Sequence, residues 1–181
     1  MITIVSGLPR SGTSLMMQML QAGGMPILID PKNTADPDNP RGYFEWSGEI
    51  GENAEGRAVK VLSMRLFELP TGHDYKIIFM RRDLQEVLVS QEVMLTRRGQ
   101  KPPPITDEDE RLIVAHLMEI RDYFRDPHVL HRCDHWELMG SPREVARRVA
   151  AFIGKPLNLD AMAAQVDQKL WRNRPSTLLP R

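Results

Sequence analysis

The sequence predicts an α/β fold in which a parallel central sheet is flanked by helices on both faces, and the whole chain, residues 1–181, forms a single domain. Short apolar runs rich in β-branched residues alternate with longer stretches of helical periodicity, which is the pattern of strand–helix–strand units. A length of 181 residues suffices for one domain with a substantial core, but not comfortably for two. A glycine-rich loop directly after the first strand indicates where such a fold would bind a ligand.

The first elements follow from local composition. The β-branched run at residues 2–5 predicts a buried strand, and the apolar piece at residues 26–29 predicts a second strand. Between them, residues 13–22 carry a helical apolar pattern that stops at Gly23, a typical helix end. Residues 30–42 contain three prolines, which exclude regular helix and central strand. A loop of this length in a compact domain is usually functional or disordered.

Three further strands and four further helices complete the predicted fold: strands over residues 58–64, 76–80 and 128–133, and helices over residues 83–98, 106–124, 141–154 and from 160 onwards. Three of these helices begin with a capping signal. Asp83 and Ser141 each precede a glutamate by three residues, which is the spacing of a capping box. Thr106 precedes an acidic first turn.

Composition excludes several classes of protein. Hydrophobic residues make up 41% of the chain and charged residues 27%, as in ordinary globular proteins. The 24 basic and 24 acidic residues cancel, so we predict no nucleic-acid partner and no membrane-surface partner. No apolar stretch approaches the roughly 20 residues of a membrane span and no signal peptide is visible, so we expect a cytoplasmic protein. The single cysteine, Cys133, excludes an internal disulfide and favours a reducing compartment.

Residues 6–14 resemble a phosphate-binding loop with one departure. Gly7, Gly12 and Ser14 fit the pattern G-x-x-x-x-G-K-[ST], which indicates the P-loop NTPase-like, three-layer form of the α/β fold. Thr13 stands at the position of the lysine that normally reaches the β- and γ-phosphates of a nucleoside triphosphate. A loop that keeps the glycines and lacks this lysine should hold a different anion, with Arg10 and the loop hydroxyls as donors.

A second candidate pair follows the strand at residues 76–80. Arg82 stands at the end of this strand, and Ser90 lies eight residues later on the following helix. They are separated by on the order of 10 Å along the helix, a gap that an arginine side chain can close. The two could therefore bind one oxyanion. The alternative, a surface arginine and a solvated serine, is the commoner situation for an isolated pair.

Together these segments resemble the sulfotransferases that use 3′-phosphoadenosine 5′-phosphosulfate (PAPS), in particular short bacterial-type members. Residues 9–14, Pro-Arg-Ser-Gly-Thr-Ser, resemble the phosphosulfate-binding loop of that family. Arg82 and Ser90 resemble the second signature, whose arginine and serine bind the 3′-phosphate. Lys60 lies in a segment that resembles the strand carrying a lysine that faces the sulfuryl group, and residues 138–157 resemble a later helix of the family.

The resemblance implies a transferase that moves a sulfuryl group from PAPS to a hydroxyl or amine of a small-molecule or carbohydrate-type acceptor. It implies no metal, because arginine, lysine and backbone donors neutralise the phosphosulfate. Arg10, Lys60 and Glu45 are the predicted catalytic residues. The predicted donor-binding residues are Pro9, Arg10, Ser11, Gly12, Thr13, Ser14, Arg82 and Ser90.

The chain departs from the family pattern in two places. Leu62 stands where the cytosolic branch has its catalytic histidine, which leaves Glu45, just after the long loop, as the candidate base. A glutamate at a helix start is the alternative interpretation of Glu45. The family's C-terminal glycine-rich segment is missing; Arg172 or Arg174, beside Trp171, could replace it, or could belong to a solvated basic tail.

Other interpretations stay open at the level of sequence. His131, Cys133 and His135 alternate along a predicted strand and are zinc-type residues, but a packed strand end is favoured because structural zinc uses four ligands in paired short spacings. A small-molecule or nucleoside kinase of the same fold would need the missing loop lysine. A non-catalytic nucleotide-binding module would need no base, which fits Leu62. The sequence carries no signal for the acceptor or the oligomeric state.

Overall fold

The computed structural model describes residues 1–29, 45–46 and 48–168, and within them the predicted α/β class is confirmed. Its strands are β1 (Ile2–Gly7), β2 (Ile27–Leu28), β3 (Ala58–Lys60), β4 (Tyr75–Arg81) and β5 (Leu130–Asp134). All pair in parallel, in the order β2-β3-β1-β4-β5. The central strand β1 pairs with β3 on one side and with β4 on the other. The connection from β3 to β4 therefore passes β1 and crosses from one half of the sheet to the other.

Helices cover both faces of the sheet. They are α1 (Thr13–Ala22), α2 (Leu84–Arg97), α3 (Asp107–Tyr123), α4 (His135–Gly140), α5 (Pro142–Ile153) and α6 (Leu159–Ala163), with short 3₁₀ helices at Glu52–Ala54 and Ser63–Glu68. No helix among the described residues is long and apolar enough to cross a bilayer.

Strand alternation divides the core into two layers. Ile78 and Met80 of β4 face a cluster built with α1, α5 and α6, whereas Ile77 and Phe79 face a second cluster that includes Ile120 of α3. Each of these four β4 side chains is at most 5% exposed. A strand buried on both faces needs apolar residues at every position, which explains the continuous apolar run in the sequence.

Several local predictions were wrong. The strand predicted over residues 58–64 ends at Lys60, opposite Val5, although its partner β1 continues to Gly7. It ends there because the chain leaves the sheet and enters the 3₁₀ helix that buries Leu66. Ser141 makes no side-chain cap to α5, and its backbone N–H, which a capping box would use, donates to the Glu137 carbonyl at the end of α4. Glu144 pairs with Arg147 instead of closing a capping box.

The predicted helix caps at Thr106 and Asp83 are confirmed. Thr106 and Asp109 form a reciprocal capping box at the start of α3. Asp83 caps α2 by accepting a hydrogen bond from the Glu86 backbone N–H at 3.1 Å. The Glu86 carboxylate does not close the predicted box, because it binds the neighbouring Arg82.

Candidate functional site

The candidate site lies at the carboxyl ends of three adjacent strands. The loop at residues 8–12 follows β1, Lys60 ends β3, and Arg82 follows β4. Because β1 pairs in parallel with both β3 and β4, these three segments meet at one edge of the sheet. This edge, at the point where the strand order reverses, is the usual ligand site of open α/β sheets.

The loop backbone depends on two glycines. A Cβ on Gly7 would lie 2.5 Å from Ser11 Oγ and 2.7 Å from the Met80 carbonyl oxygen, so only glycine fits at its φ of 150°. Gly12 has a φ of 103°, in the left-handed half of conformational space. The Ser11 N–H donates to the Leu8 carbonyl at 3.1 Å and tightens the turn between them.

Arg10 is held in a conformation that side chains rarely adopt. Its φ of 69° is the single positive value at a non-glycine residue in the described part of the chain. The Arg10 Nε donates to Ser90 Oγ at 3.1 Å, and its carbonyl accepts from Arg82 Nη1 at 3.0 Å. Arg82 and Ser90 thus both contact Arg10 of the loop, Arg82 at its backbone carbonyl and Ser90 at its side chain.

A buried lysine lies on the other side of the loop. Lys60 Nζ donates to Ser14 Oγ at 3.2 Å and to Glu45 Oε1 at 3.1 Å. Burial lowers the pKa of Lys60, an effect that the Glu45 carboxylate opposes and the Arg10 guanidinium reinforces. The ammonium side chain is only 9% exposed, which strengthens its interaction with any charge that enters the site.

Backbone contacts place Glu45 beside this lysine. The N–H of the next residue, Trp46, donates to the Lys60 carbonyl at 2.8 Å, and the Trp46 carbonyl accepts from Arg65 Nη1 at 2.7 Å. Glu45 lies in neither a helix nor a strand, so its interpretation as a helix-start residue is wrong. Its side chain is 32% exposed and can be reached by a molecule from solvent.

Buried hydroxyls complete the loop. Ser11 is 1% exposed and Thr13 is 6% exposed. In the part of the chain that the structure describes, Ser11 Oγ has no hydrogen-bond partner. A buried hydroxyl left in this state is costly, and an oxyanion held by the loop would satisfy it. The residues present therefore fit an anionic group.

The position of His135 and the pairing of Glu86 were not predicted. His135 begins α4, and its ring abuts the loop: a Cβ on Gly12 would lie 2.9 Å from His135 Cδ2. Burial, with a smaller effect of Arg82, lowers the pKa of His135 to about 4, which keeps the ring neutral near pH 7. Glu86 pairs with Arg82, four residues earlier in the sequence. This is the i,i+4 spacing of helical ion pairs, and the pairing could have been predicted from it.

The predicted strand alternation of His131, Cys133 and His135 does not extend to its third member. Strand β5 ends at Asp134, so His135 belongs to α4. His131 stacks on Phe152 with ring centroids 5.3 Å apart. Among the described residues no group of three or more histidine, cysteine or acidic side chains could hold a metal ion.

Some predicted residues lie outside the described ones. These are the whole loop at residues 30–42 and the C-terminal Trp171, Arg172 and Arg174. Two surface depressions of about 430 and 330 Å³ lie along α3, one of them reaching β5. Neither is lined by Lys60, Glu45 or the β1 loop, so they are separate from the candidate site.

Comparison with solved structures finds the same fold among sulfotransferases. The sulfotransferase domain of the curacin biosynthetic pathway aligns over 99% of this chain and 92% of its own, with a TM-score of 0.59 and 16% identity. A sulfotransferase from Alicyclobacillus acidocaldarius aligns over 94% of this chain and 98% of its own, with a TM-score of 0.53 and 19% identity.

A third solved structure is a retinol dehydratase in complex with androsterone and the inactive cofactor PAP. It aligns over 94% of this chain and 64% of its own, with a TM-score of 0.55 and 16% identity. No family model matches the chain, and no curated protein sequence matches it either. At these identities the likeness shows the shared fold.

Proposed function

We propose that this protein transfers a sulfuryl group from PAPS to a hydroxyl or amine of a small-molecule or carbohydrate-type acceptor. The observation that carries the proposal is the convergence of Arg82 and Ser90, eight residues apart in sequence, on Arg10 of the loop, at 3.0 and 3.1 Å. The shared fold of the sulfotransferases, one solved with PAP, supports it.

The loop, with Arg10, would bind the phosphosulfate end of the donor. Backbone N–H groups at residues 10–14, apart from that of Ser11, which binds the Leu8 carbonyl, favour an anion at this place together with the start of α1. Pro9 fixes the entry to the turn. Arg82 and Ser90 would bind the 3′-phosphate, and a guanidinium suits this task because it can donate two parallel hydrogen bonds. The bound donor would supply the sulfuryl group that is transferred.

Lys60 and Glu45 would serve the transfer itself. Glu45 would accept the acceptor's proton as the new bond to sulfur forms, since its side chain is partly exposed and lies at the site, 3.1 Å from Lys60 Nζ. Lys60 would neutralise the negative charge that grows on the phosphate oxygen as its bond to sulfur breaks. Three cationic side chains, those of Arg10, Lys60 and Arg82, already surround the site, so we expect no metal requirement.

Thr13 argues against the kinase alternative. A kinase of this fold uses a loop lysine on the β- and γ-phosphates. Thr13 is instead a buried hydroxyl at the start of α1. PAPS has no β,γ-phosphate chain, so the binding of such a donor does not require the missing lysine.

Thermal stabilisation by nucleotides tests the donor class. We expect adenosine 3′,5′-bisphosphate to raise the melting temperature more than ATP with Mg²⁺ at equal concentration. Stabilisation by ATP alone would overturn the proposal in favour of the kinase.

Substitution of Glu45 tests the chemistry. In an assay with radiolabelled PAPS and a panel of acceptors, Glu45→Gln should lower transfer by about 10²–10⁴-fold, the usual contribution of a general base. Bisphosphate affinity should stay within about threefold of wild type. Glu49→Gln, an exposed neighbour, is the matched control and should transfer normally. Tight bisphosphate binding without transfer to any acceptor would instead indicate a non-catalytic binding module.

A further inference from the structure

The carboxylate of Glu86 is buried next to a site that is built to hold anions. Its side chain is 7% exposed, and that of its partner Arg82 is 10% exposed. Arg82 Nε donates to Glu86 Oε2 at 2.7 Å. A carboxylate is seldom buried unless it is paired, and here the pairing partner is a predicted ligand of the donor.

The backbone around Glu86 is fixed independently of this ion pair. Its N–H is capped by the Asp83 side chain at 3.1 Å, in the first turn of α2. The Glu86 carboxylate therefore extends from a rigid point. Side chains four residues apart on a helix lie on the same face, but Arg82 precedes the helix and reaches Glu86 from the end of β4.

Two contacts fix the plane of the Arg82 guanidinium. Nε is bound by Glu86, and Nη1 donates to the Arg10 carbonyl at 3.0 Å. A guanidinium is planar with five N–H donors in a rigid fork, so anchoring it at two of its nitrogens determines where the others point. Without Glu86, the group could swing about the single contact to Arg10.

We propose that Glu86 is a positioning residue that aims Arg82 at the 3′-phosphate of the donor. This inference rests on the proposed function. The positioning role can be distinguished from a pure charge effect, because the two predict opposite changes in anion affinity when Glu86 is replaced. A negative charge beside an anion site weakens anion binding by Coulomb repulsion, so removing the charge alone should tighten binding. Removing a positioning residue should weaken it.

Two substitutions separate charge from length. Glu86→Gln keeps the length and removes the charge; Glu86→Asp keeps the charge and shortens the side chain by one methylene. We expect both to weaken the binding of adenosine 3′,5′-bisphosphate by about tenfold, as measured by isothermal titration calorimetry. Affinity for adenosine 5′-monophosphate, which lacks the 3′-phosphate, should stay within about threefold and reports that the rest of the site is intact.

Two controls complete the design. In an Arg82→Ala background, Glu86→Gln should cause no further loss, because the residue acts through Arg82. Glu144→Gln removes an exposed glutamate–arginine pair on α5 and should leave both affinities unchanged.

The outcomes are distinguishable. Wild-type or tighter bisphosphate binding by both Glu86 variants would overturn the positioning role and leave the proposed function standing. An equal loss of affinity for both nucleotides would also overturn the positioning role, because it would indicate a general disturbance of the site. A wild-type protein that does not prefer the bisphosphate over the monophosphate would overturn the proposed function itself, and the role of Glu86 with it.

Discussion

The buried imidazole of His135 should make the stability of this protein depend on pH. Burial, followed by the charge of Arg82, lowers the pKa of His135 from 6.5 to about 4. The unfolded chain therefore takes up this proton before the folded chain does, and stability falls as the pH falls from about 6.5 through 4. At about 1.4 kcal/mol per pKa unit, the full difference amounts to about 3.5 kcal/mol, of which about 3 kcal/mol is lost by pH 4.

The substitution His135→Gln removes the titrating group and retains a planar polar side chain against Gly12. Urea unfolding of both proteins at pH 7.5 and pH 4 gives the free energy of unfolding for each. We expect the wild type to lose about 3 kcal/mol more than the variant between the two pH values. Other titrating groups, including His131, whose pKa burial also lowers, act in both proteins and cancel in the comparison.

His128→Gln is the matched control, since His128 is exposed. It should give the same pH profile as the wild type. Parallel profiles for wild type and His135→Gln would refute the reasoning, because they would mean that the His135 ring gains its proton as readily in the folded chain as in the unfolded one.

Two further predictions concern the loop and the core. Gly12→Ala should destabilise the protein by more than the roughly 1–2 kcal/mol that a left-handed backbone alone costs an alanine, because its Cβ would lie 2.9 Å from the His135 ring. Gly72→Ala, at a φ of 91° with nothing within 4 Å, measures the cost of the left-handed backbone alone in the same thermal melts. Equal losses of stability in the two variants would contradict a clash between the new Cβ and the His135 ring. Cys133, whose pKa burial raises to about 12, should resist iodoacetamide at pH 8 and react readily only in urea. Rapid alkylation of the native protein, followed by mass spectrometry, would argue against this burial.

The sequence predictions that were confirmed are ones in which the determining contacts are local, although the two predicted glutamate capping boxes did not form. Helix α1 has the predicted bounds because its apolar pattern and the terminal Gly23 lie within one segment. Thr106 caps α3 through an atom three residues away. Strand β3 was predicted too long because residues 63–68 form a 3₁₀ helix instead, and its Leu66 packs in the same core cluster as Ile4 and Ile120, each more than fifty residues away in the sequence.

In the candidate site, too, the features that depend on local sequence could be predicted and those that depend on distant contacts could not. The spacing of the glycines and of Arg82 and Ser90 could be recognised, since each lies within one strand–loop–helix segment. The burial of His135 against Gly12 could not, because it depends on how α4 packs on a loop 123 positions earlier in the chain. Glu86 matched a local capping rule, and its true partner, Arg82, is fixed by a second contact across the sheet to Arg10.

If Arg10 serves the proposed transfer, its left-handed backbone sets stability against that activity at a single position. A glycine there would adopt a φ of 69° without steric cost and should make the fold more stable. It would also remove the guanidinium that contacts Ser90. Selection of this protein for heat resistance alone should therefore favour the loss of Arg10, whereas selection for the proposed sulfuryl transfer should retain it. Any programme of stabilisation should hold residue 10 constant and look for its gains elsewhere in the chain.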